Sequence, residues 1–248
     1  MSKKSKSDGT SAGNSQGKPS WFADVSHPCQ SQLVAVASRF NREYQGEPFE
    51  VSEDVAALPI FQERVAGTLQ ARTISPFWEL AKIKKNQHCL DLGCGVSFLI
   101  YPWREWDAFF YGQEISQVAQ DALNARGPQL NSKLFKGVKS GPAHQIEYEN
   151  QSFDWVIATG FSCYFPLSYW KQVITEVKRV LKPDGQFVFD VINPETPLGE
   201  DWAILETYLG TEVYLELLSA WEVLIKGAGG KVVKGQSGDL FYLYKVKF

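Results

Sequence analysis

The run His88-Cys89-Leu90-Asp91-Leu92-Gly93-Cys94-Gly95 sets the tightest limit on what this chain can fold into. Cys89, Leu90 and Leu92, with Asp91 between them, fit a short buried parallel strand. Gly93 and Gly95 then turn the chain at once, through φ values that a Cβ disfavours, and they leave the backbone open to close approach by another group. A strand that passes through such a turn into a helix is the repeating unit of a parallel α/β sheet, whose ligands bind outside the carboxyl ends of the strands. A tight turn with no ligand would read the same way from these residues alone.

Spacing separates the ligand classes. In the dinucleotide fingerprint a third glycine follows the second by three positions and lets a helix N-terminus meet a pyrophosphate. That position is Phe98 here, which argues against a dinucleotide. A second apolar run, Ala108 to Gly112, leads to Gln113 and Glu114. Glu114 lies nineteen residues beyond Gly95, close to the spacing at which an acid meets ribose hydroxyls. A solvated acid at a strand end is the competing reading.

The 248-residue chain as a whole is 44% hydrophobic and 21% charged, ordinary for one sizeable α/β domain with a helical attachment. The net charge is −3, and the first twenty residues hold four lysines against one aspartate, so the remainder is more acidic still. An acidic body is a poor match for nucleic acid, whose phosphates call for Lys and Arg. The four cysteines form no C-x-x-C pair, which favours free thiols in a reducing compartment and offers no metal-ligand spacing. No apolar run approaches the roughly 18 residues of a membrane span, and the polar start lacks the apolar core of a secretory signal. The expectation is a cytoplasmic protein with no membrane span and no metal.

Met1 to Ser20, rich in Ser, Gly and Lys, reads as a flexible tail. Helical spacing follows over Pro28 to Tyr44 and over Val55 to Leu69, and Ser75-Pro76 reads as an N-cap and first turn ahead of Phe77, Trp78, Leu80 and Ile83. Pro102 predicts a short or kinked segment after the glycine turn. Ile115 to Arg126 reads as a helix capped by Ser116, Leu134 to Val138 as a third strand and Phe153 to Ala158 as a fourth. Tyr169 to Leu181 forms the next helix, and Lys182-Pro183-Asp184-Gly185 turns it into the strand Gln186 to Ile192. Helices over Asp201 to Leu209 and Leu215 to Ile225 precede two runs, Lys231 to Lys234 and Leu240 to Phe248, that pair as a terminal antiparallel hairpin.

Taken together, Asp91-x-Gly93-x-Gly95, Ser152-Phe153-Asp154 ahead of an apolar strand, and Leu181-Lys182-Pro183-Asp184-Gly185 between helix and strand resemble the motifs of class I S-adenosylmethionine (SAM) dependent methyltransferases. The resemblance covers roughly Thr73 to Phe248. It implies a Rossmann-like three-layer α/β sandwich with a seven-stranded, mostly parallel sheet ending in an antiparallel hairpin, plus N-terminal helices. The organisation it suggests is a tail over 1–20, a helical cap over 21–72 and a SAM-binding domain over 73–248. The implied cofactor residues are Asp91, Gly93, Cys94, Gly95, Glu114, Ala143, His144, Thr159 and Gly160. The chain departs from the family where many relatives place an adenine-binding Asp, twelve residues before Asp154: Pro142 stands there, which leaves adenine to backbone groups near Ala143 and His144 and to apolar packing.

The resemblance implies an enzyme that transfers a methyl group to a small molecule. Methyl transfer from a sulfonium rests chiefly on alignment, so it demands little of a catalytic side chain. His144 and Tyr164 are the candidates for that role. A loop histidine that is merely polar surface competes with the first. Cys163, Asp190 and Asn193 also fall near strand ends, but Cys163 lacks an assignable activating partner. Phe98, Tyr101, Trp103, Phe161, Tyr164 and Phe165 could line an apolar cavity for a partly hydrophobic or aromatic acceptor, and core packing explains them equally. Two other functions stay open: a SAM-binding protein without catalysis that supports a partner enzyme, suggested by Ser97 and Pro142, and a nucleotide-dependent oxidoreductase, which Phe98 disfavours.

Overall fold

The computed structural model describes residues 20–23, 26–96, 101–131 and 133–248. The tail expected up to Ser20 falls almost wholly outside them, as do Ser97 and Phe98. Seven strands, β1 (His88–Leu92), β2 (Phe109–Glu114), β3 (Phe135–Ser140), β4 (Phe153–Ala158), β5 (Leu181–Ile192), β6 (Lys231–Ser237) and β7 (Phe241–Lys247), form one sheet in the order β3-β2-β1-β4-β5-β7-β6. The first five pair in parallel. β7 lies antiparallel between β5 and β6, so six strands run one way and one runs against them. The order reverses direction at β1, which has β2 on one side and β4 on the other, and the crevice that opens there is where ligands of such sheets bind.

Alternation along β1 explains why the strand is apolar on both faces. Leu90 and Leu92 join the core under α8 (Leu167–Val180), whereas Cys89 joins the opposite core with Phe77 and Leu80 of α5 (Phe77–Ala81). On α8 the stripe Val173, Ile174, Val177 and Val180 is buried as its spacing predicts.

Local chemistry also explains where elements differ from expectation. The single helix expected over Val55 to Leu69 is three short ones, α2 (Glu53–Ala56), α3 (Pro59–Val65) and α4 (Leu69–Thr73). Pro59, without an N–H, starts a new helix, and Gly67 breaks the next at φ +73°. Ser75 does not cap α5; its hydroxyl donates to Asp190 of β5 instead. Ser116 does cap α7 (Gln117–Asn131), where its Oγ accepts the Ala119 amide at 3.2 Å. The Lys182–Gly185 turn survives as a bulge inside β5: Leu181 pairs with Phe153, and the next pair is Gln186 with Trp155. The segment with Pro102 is short, as α6 (Trp103–Trp106). Between β5 and β6 run α9 (Pro197–Tyr208), which begins earlier than its periodicity suggests because Pro197 sits in its first turn, and α10 (Leu218–Gly227).

α1 (Gln30–Gln45) lies along the start of α7, and α3 packs beside α9. One buried cluster ties these pieces together. Arg39 of α1 pairs with Glu206 of α9 at 2.8 Å, and the Tyr164 hydroxyl, from the 3-10 turn Ser162–Tyr164 after β4, donates to the same carboxylate at 2.9 Å. Both charges are essentially hidden from solvent. Burial drives the Glu206 carboxyl upward, and the Arg39 guanidinium pulls it back.

Candidate functional site

The glycine turn after β1 opens onto a cavity of about 520 Å³ at the carboxyl edge of the sheet. Of the residues expected to hold a cofactor, Gly93, Cys94, Gly95, Glu114, Ala143, Thr159 and Gly160 line it. Asp91 and His144 do not; both are buried behind the wall. A Cβ on Gly93 would stand 2.7 Å from the Phe161 ring, and one on Gly95 would stand 2.5 Å from the Tyr44 hydroxyl. Both glycines have positive φ, at +63° and +45°, so conformation and space each exclude a side chain.

Glu114 is 4% exposed, yet its carboxylate is well held. Oε2 accepts the Gly95 amide at 2.7 Å and Oε1 accepts the Ser116 amide at 2.8 Å. Burial raises its pKa and those amides hold it down. The Ile115 amide also bears on it, and since a carboxylate has about four acceptor positions, capacity remains for a hydroxyl group.

Next to Glu114 in the chain, Gln113 organises the loop that follows β3. Its amide donates to the carbonyls of Pro142 and Gln145 at 2.8 and 2.9 Å, and its Oε1 accepts the Glu147 amide at 3.0 Å. The loop therefore keeps a fixed shape with Pro142 in place of an Asp. Backbone groups of Ala143 and His144 meet the Tyr169 hydroxyl, and the Tyr169 ring lines the cavity.

Asp91 is 2% exposed, and its Oδ2 has no hydrogen-bond partner among the described residues. Burial, then Glu114, then Asp190 push its pKa well above the usual carboxylate range. Asp190, two residues beyond the level of Asp91 on β5, accepts the Gly160 amide at 2.8 Å and the Ser75 hydroxyl, and burial raises its carboxyl to about 7. Three strand ends thus bring three buried acids together. The one lysine or arginine in the described lining, Arg64, already pairs with Glu43 at 2.9 Å. A ligand bearing positive charge relieves this excess, whereas a pyrophosphate would add to it. The unpartnered Asp91 oxygen, the two bare glycines and the spare acceptor positions of Glu114 all suit SAM, which carries a sulfonium, an ammonium and a ribose.

The other candidates sort themselves by position. Tyr164 is 1% exposed, lies outside the lining and is committed to Glu206. His144 stacks on His27 at 4.1 Å and meets the edge of Tyr169. Burial keeps the Cys163 thiol protonated and inert. Of the aromatic set, Tyr101, Phe161 and Phe165 line the cavity, while Phe98 and the Trp103 side chain fall outside what the structure describes.

Several lining residues carried no sequence signal. Val36, Phe40 and Tyr44 of α1, Leu69 and Thr73 of α4 and Trp202 of α9 form the wall opposite the turn. On α1 they continue the apolar spacing of its buried stripe, and nothing in the sequence marks them as facing a cavity rather than a core.

Residues 90–189 match a family described as a methyltransferase domain. Among curated relatives, a sterol 4-C-methyltransferase of Caenorhabditis elegans is 27% identical over 115 residues, covering 46% of this chain and 34% of that protein. A demethylmenaquinone methyltransferase of Lactobacillus johnsonii is 27% identical over 157 residues, covering 60% of this chain and 59% of that one. The chain therefore spans between a third and three fifths of these two relatives. Among solved structures, geranyl diphosphate C-methyltransferase from Streptomyces coelicolor, in complex with Mg²⁺, geranyl diphosphate and S-adenosylhomocysteine, superposes with a TM-score of 0.61 at 13% identity, over 89% of this chain and 99% of that one. The PH0226 protein of Pyrococcus horikoshii gives 0.57 at 22% identity, over 80% and 99%. Both likenesses concern the fold.

Proposed function

We propose, from the class I SAM-dependent methyltransferase domain that this chain carries, that the protein transfers the methyl group of SAM to a small, largely apolar or aromatic acceptor. The observation that supports this most directly is the make-up of the cavity. Acid and bare backbone lie on the sheet side, and Phe40, Leu69, Phe161, Phe165 and Trp202 lie around them.

SAM supplies a methyl group on a sulfonium, a leaving group that needs no further activation. The residues that would hold it are Gly93, Cys94 and Gly95 at the turn, Glu114 toward the ribose, Asp91 through its charge, and Ala143 with Tyr169 at the base. The aromatic wall would orient the acceptor and exclude water, and alignment of this kind is worth roughly 7 kcal/mol or more in well-oriented systems. Among the described residues of the lining there is no histidine or lysine, and Glu43 is held by Arg39 and Arg64 at 2.8 and 2.9 Å. That favours an acceptor that reacts without a strong base, as a neutral carbon nucleophile or an already ionised group.

The printed names of the relatives agree with this class. Sterols, demethylmenaquinone and geranyl diphosphate are small molecules with extended apolar parts. The test is calorimetry with SAM, S-adenosylhomocysteine and NAD, followed by transfer of labelled methyl to a panel of isoprenoid, quinone and phenolic acceptors. Binding of the first two but not NAD, with label moving to a member of the panel, supports the reading. Binding of NAD alone overturns it.

A further inference from the structure

α1 approaches the cofactor turn more closely than a helix that merely covers a sheet has to. Asn41 and Tyr44 lie three positions apart, on one face of α1. The Asn41 Oδ1 accepts the Ser116 hydroxyl at 2.7 Å and the Val118 amide at 3.3 Å, which fixes α1 to the start of α7 on one side of Glu114. On the other side the Tyr44 hydroxyl stands 2.5 Å from where a Gly95 Cβ would be, so it takes up the space that the missing side chain leaves. Its ring stacks on Phe40 with centroids 6.0 Å apart, and both rings line the cavity. The Val96 backbone amide meets the Tyr44 oxygen, and Glu114 lies near enough to raise the phenol, whose pKa burial has already driven up.

These contacts leave complementary chemistry on two sides of one small space. Glu114 retains acceptor positions only. Tyr44 takes its hydrogen bond from Val96 as an acceptor, so its proton is left to donate. A vicinal diol needs both kinds of partner, because each hydroxyl can donate to a carboxylate and accept from a phenol.

We infer that Tyr44 is a cofactor-contact residue, its hydroxyl donating to the ribose of SAM opposite Glu114, with Asn41 holding α1 in place for that contact. The inference rests on the cofactor reading above and adds to it a residue from outside the strand-and-turn motifs. It also makes α1 a part of the cofactor site rather than a cover over it.

The test measures binding of S-adenosylhomocysteine and of 5′-methylthioadenosine, which keeps the ribose but lacks the amino-acid end, to wild type, Tyr44→Phe and Glu114→Ala. Loss of one hydrogen bond, about 1 kcal/mol, corresponds to a weakening of roughly fivefold. That weakening is expected for both ligands in Tyr44→Phe, which keeps the ring stacked on Phe40. Hydrogen exchange of residues 33–45 in wild type gives a reading independent of any variant, and saturating S-adenosylhomocysteine should slow it several-fold. Unchanged affinity in Tyr44→Phe, weakening for S-adenosylhomocysteine only, or unaltered exchange in α1 would overturn the inference. If Glu114→Ala still loses affinity in any of those cases, the cofactor reading stands without Tyr44. No binding by wild type would remove both.

Discussion

Gly95 donates its amide to Oε2 of Glu114 at 2.7 Å, so the turn after β1 and the acid at the end of β2 are one unit although they lie nineteen positions apart. Ser116 completes it from the other side at 2.8 Å. Glu114→Ala removes the acceptor for the Gly95 and Ser116 amides and, on the proposed reading, the carboxylate that meets the ribose. The expected result is S-adenosylhomocysteine binding weakened by about ten- to a hundredfold but still measurable, with about 2 kcal/mol or more of folding stability lost. Calorimetry and urea unfolding measure the two effects. Wild-type affinity would remove Glu114 from the site.

Gly95→Val should lose ligand binding outright. At φ +45° a Cβ is strained by about 1–2 kcal/mol, and it would stand 2.5 Å from the Tyr44 hydroxyl. The expected fall in melting temperature is a few degrees, about 2–4 °C per kcal/mol for a chain of this size. Full affinity for S-adenosylhomocysteine in this variant would show that the turn does not touch the ligand.

Asp91→Asn separates stability from binding. With Oδ2 unpartnered among the described residues and two more acids nearby, the carboxylate is a liability to the folded chain until a cation offsets it. The variant should melt at or above the wild-type temperature and bind SAM at least tenfold more weakly. S-adenosylhomocysteine, without the sulfonium charge, should lose less. A variant that is both less stable and unchanged in affinity would contradict this assignment of Asp91.

Arg39→Ala leaves Glu206 buried without its cation. Breaking such a pair costs about 3–5 kcal/mol, whereas replacing both members with apolar residues costs far less. The double variant Arg39→Met with Glu206→Leu should therefore be more stable than either single substitution in denaturant titration. Additive losses would mean that the pair does not hold α1 to α9.

Acid–base behaviour follows from Asp190, whose carboxyl burial lifts from 3.8 to about 7. Between those values the folded chain keeps a proton that the unfolded chain has released, so folding takes one up and stability falls as pH rises through the window. Below it the penalty is absent; above it the penalty is complete and flat. Asp190→Asn cannot ionise, so the variant should gain on wild type from about pH 4 to pH 7 in urea unfolding and keep a constant lead above that. Parallel profiles for the two proteins would show that Asp190 titrates normally.

The succession of most strands along the chain and the position of the turn were legible because their signals are local. Gly93 and Gly95 declare the bend, the apolar run through Leu90 and Leu92 declares a strand buried on both faces, and the alternation to either core follows from a two-residue period. The acids at 91 and 114 were placed by spacing along the same unit. Residues whose role depends on what lies opposite them gave no such signal. Tyr44 and Arg39 sit on a helix whose period specifies a buried face but not its neighbour, so only packing decided that one meets Gly95 and the other Glu206. Ser75 looked like a cap and Tyr164 like a lining residue until the fold brought Asp190 and Glu206 within reach of their hydroxyls. Backbone period and turn chemistry are written residue by residue, whereas a hydrogen bond across 115 or 42 positions exists only once the layers have closed.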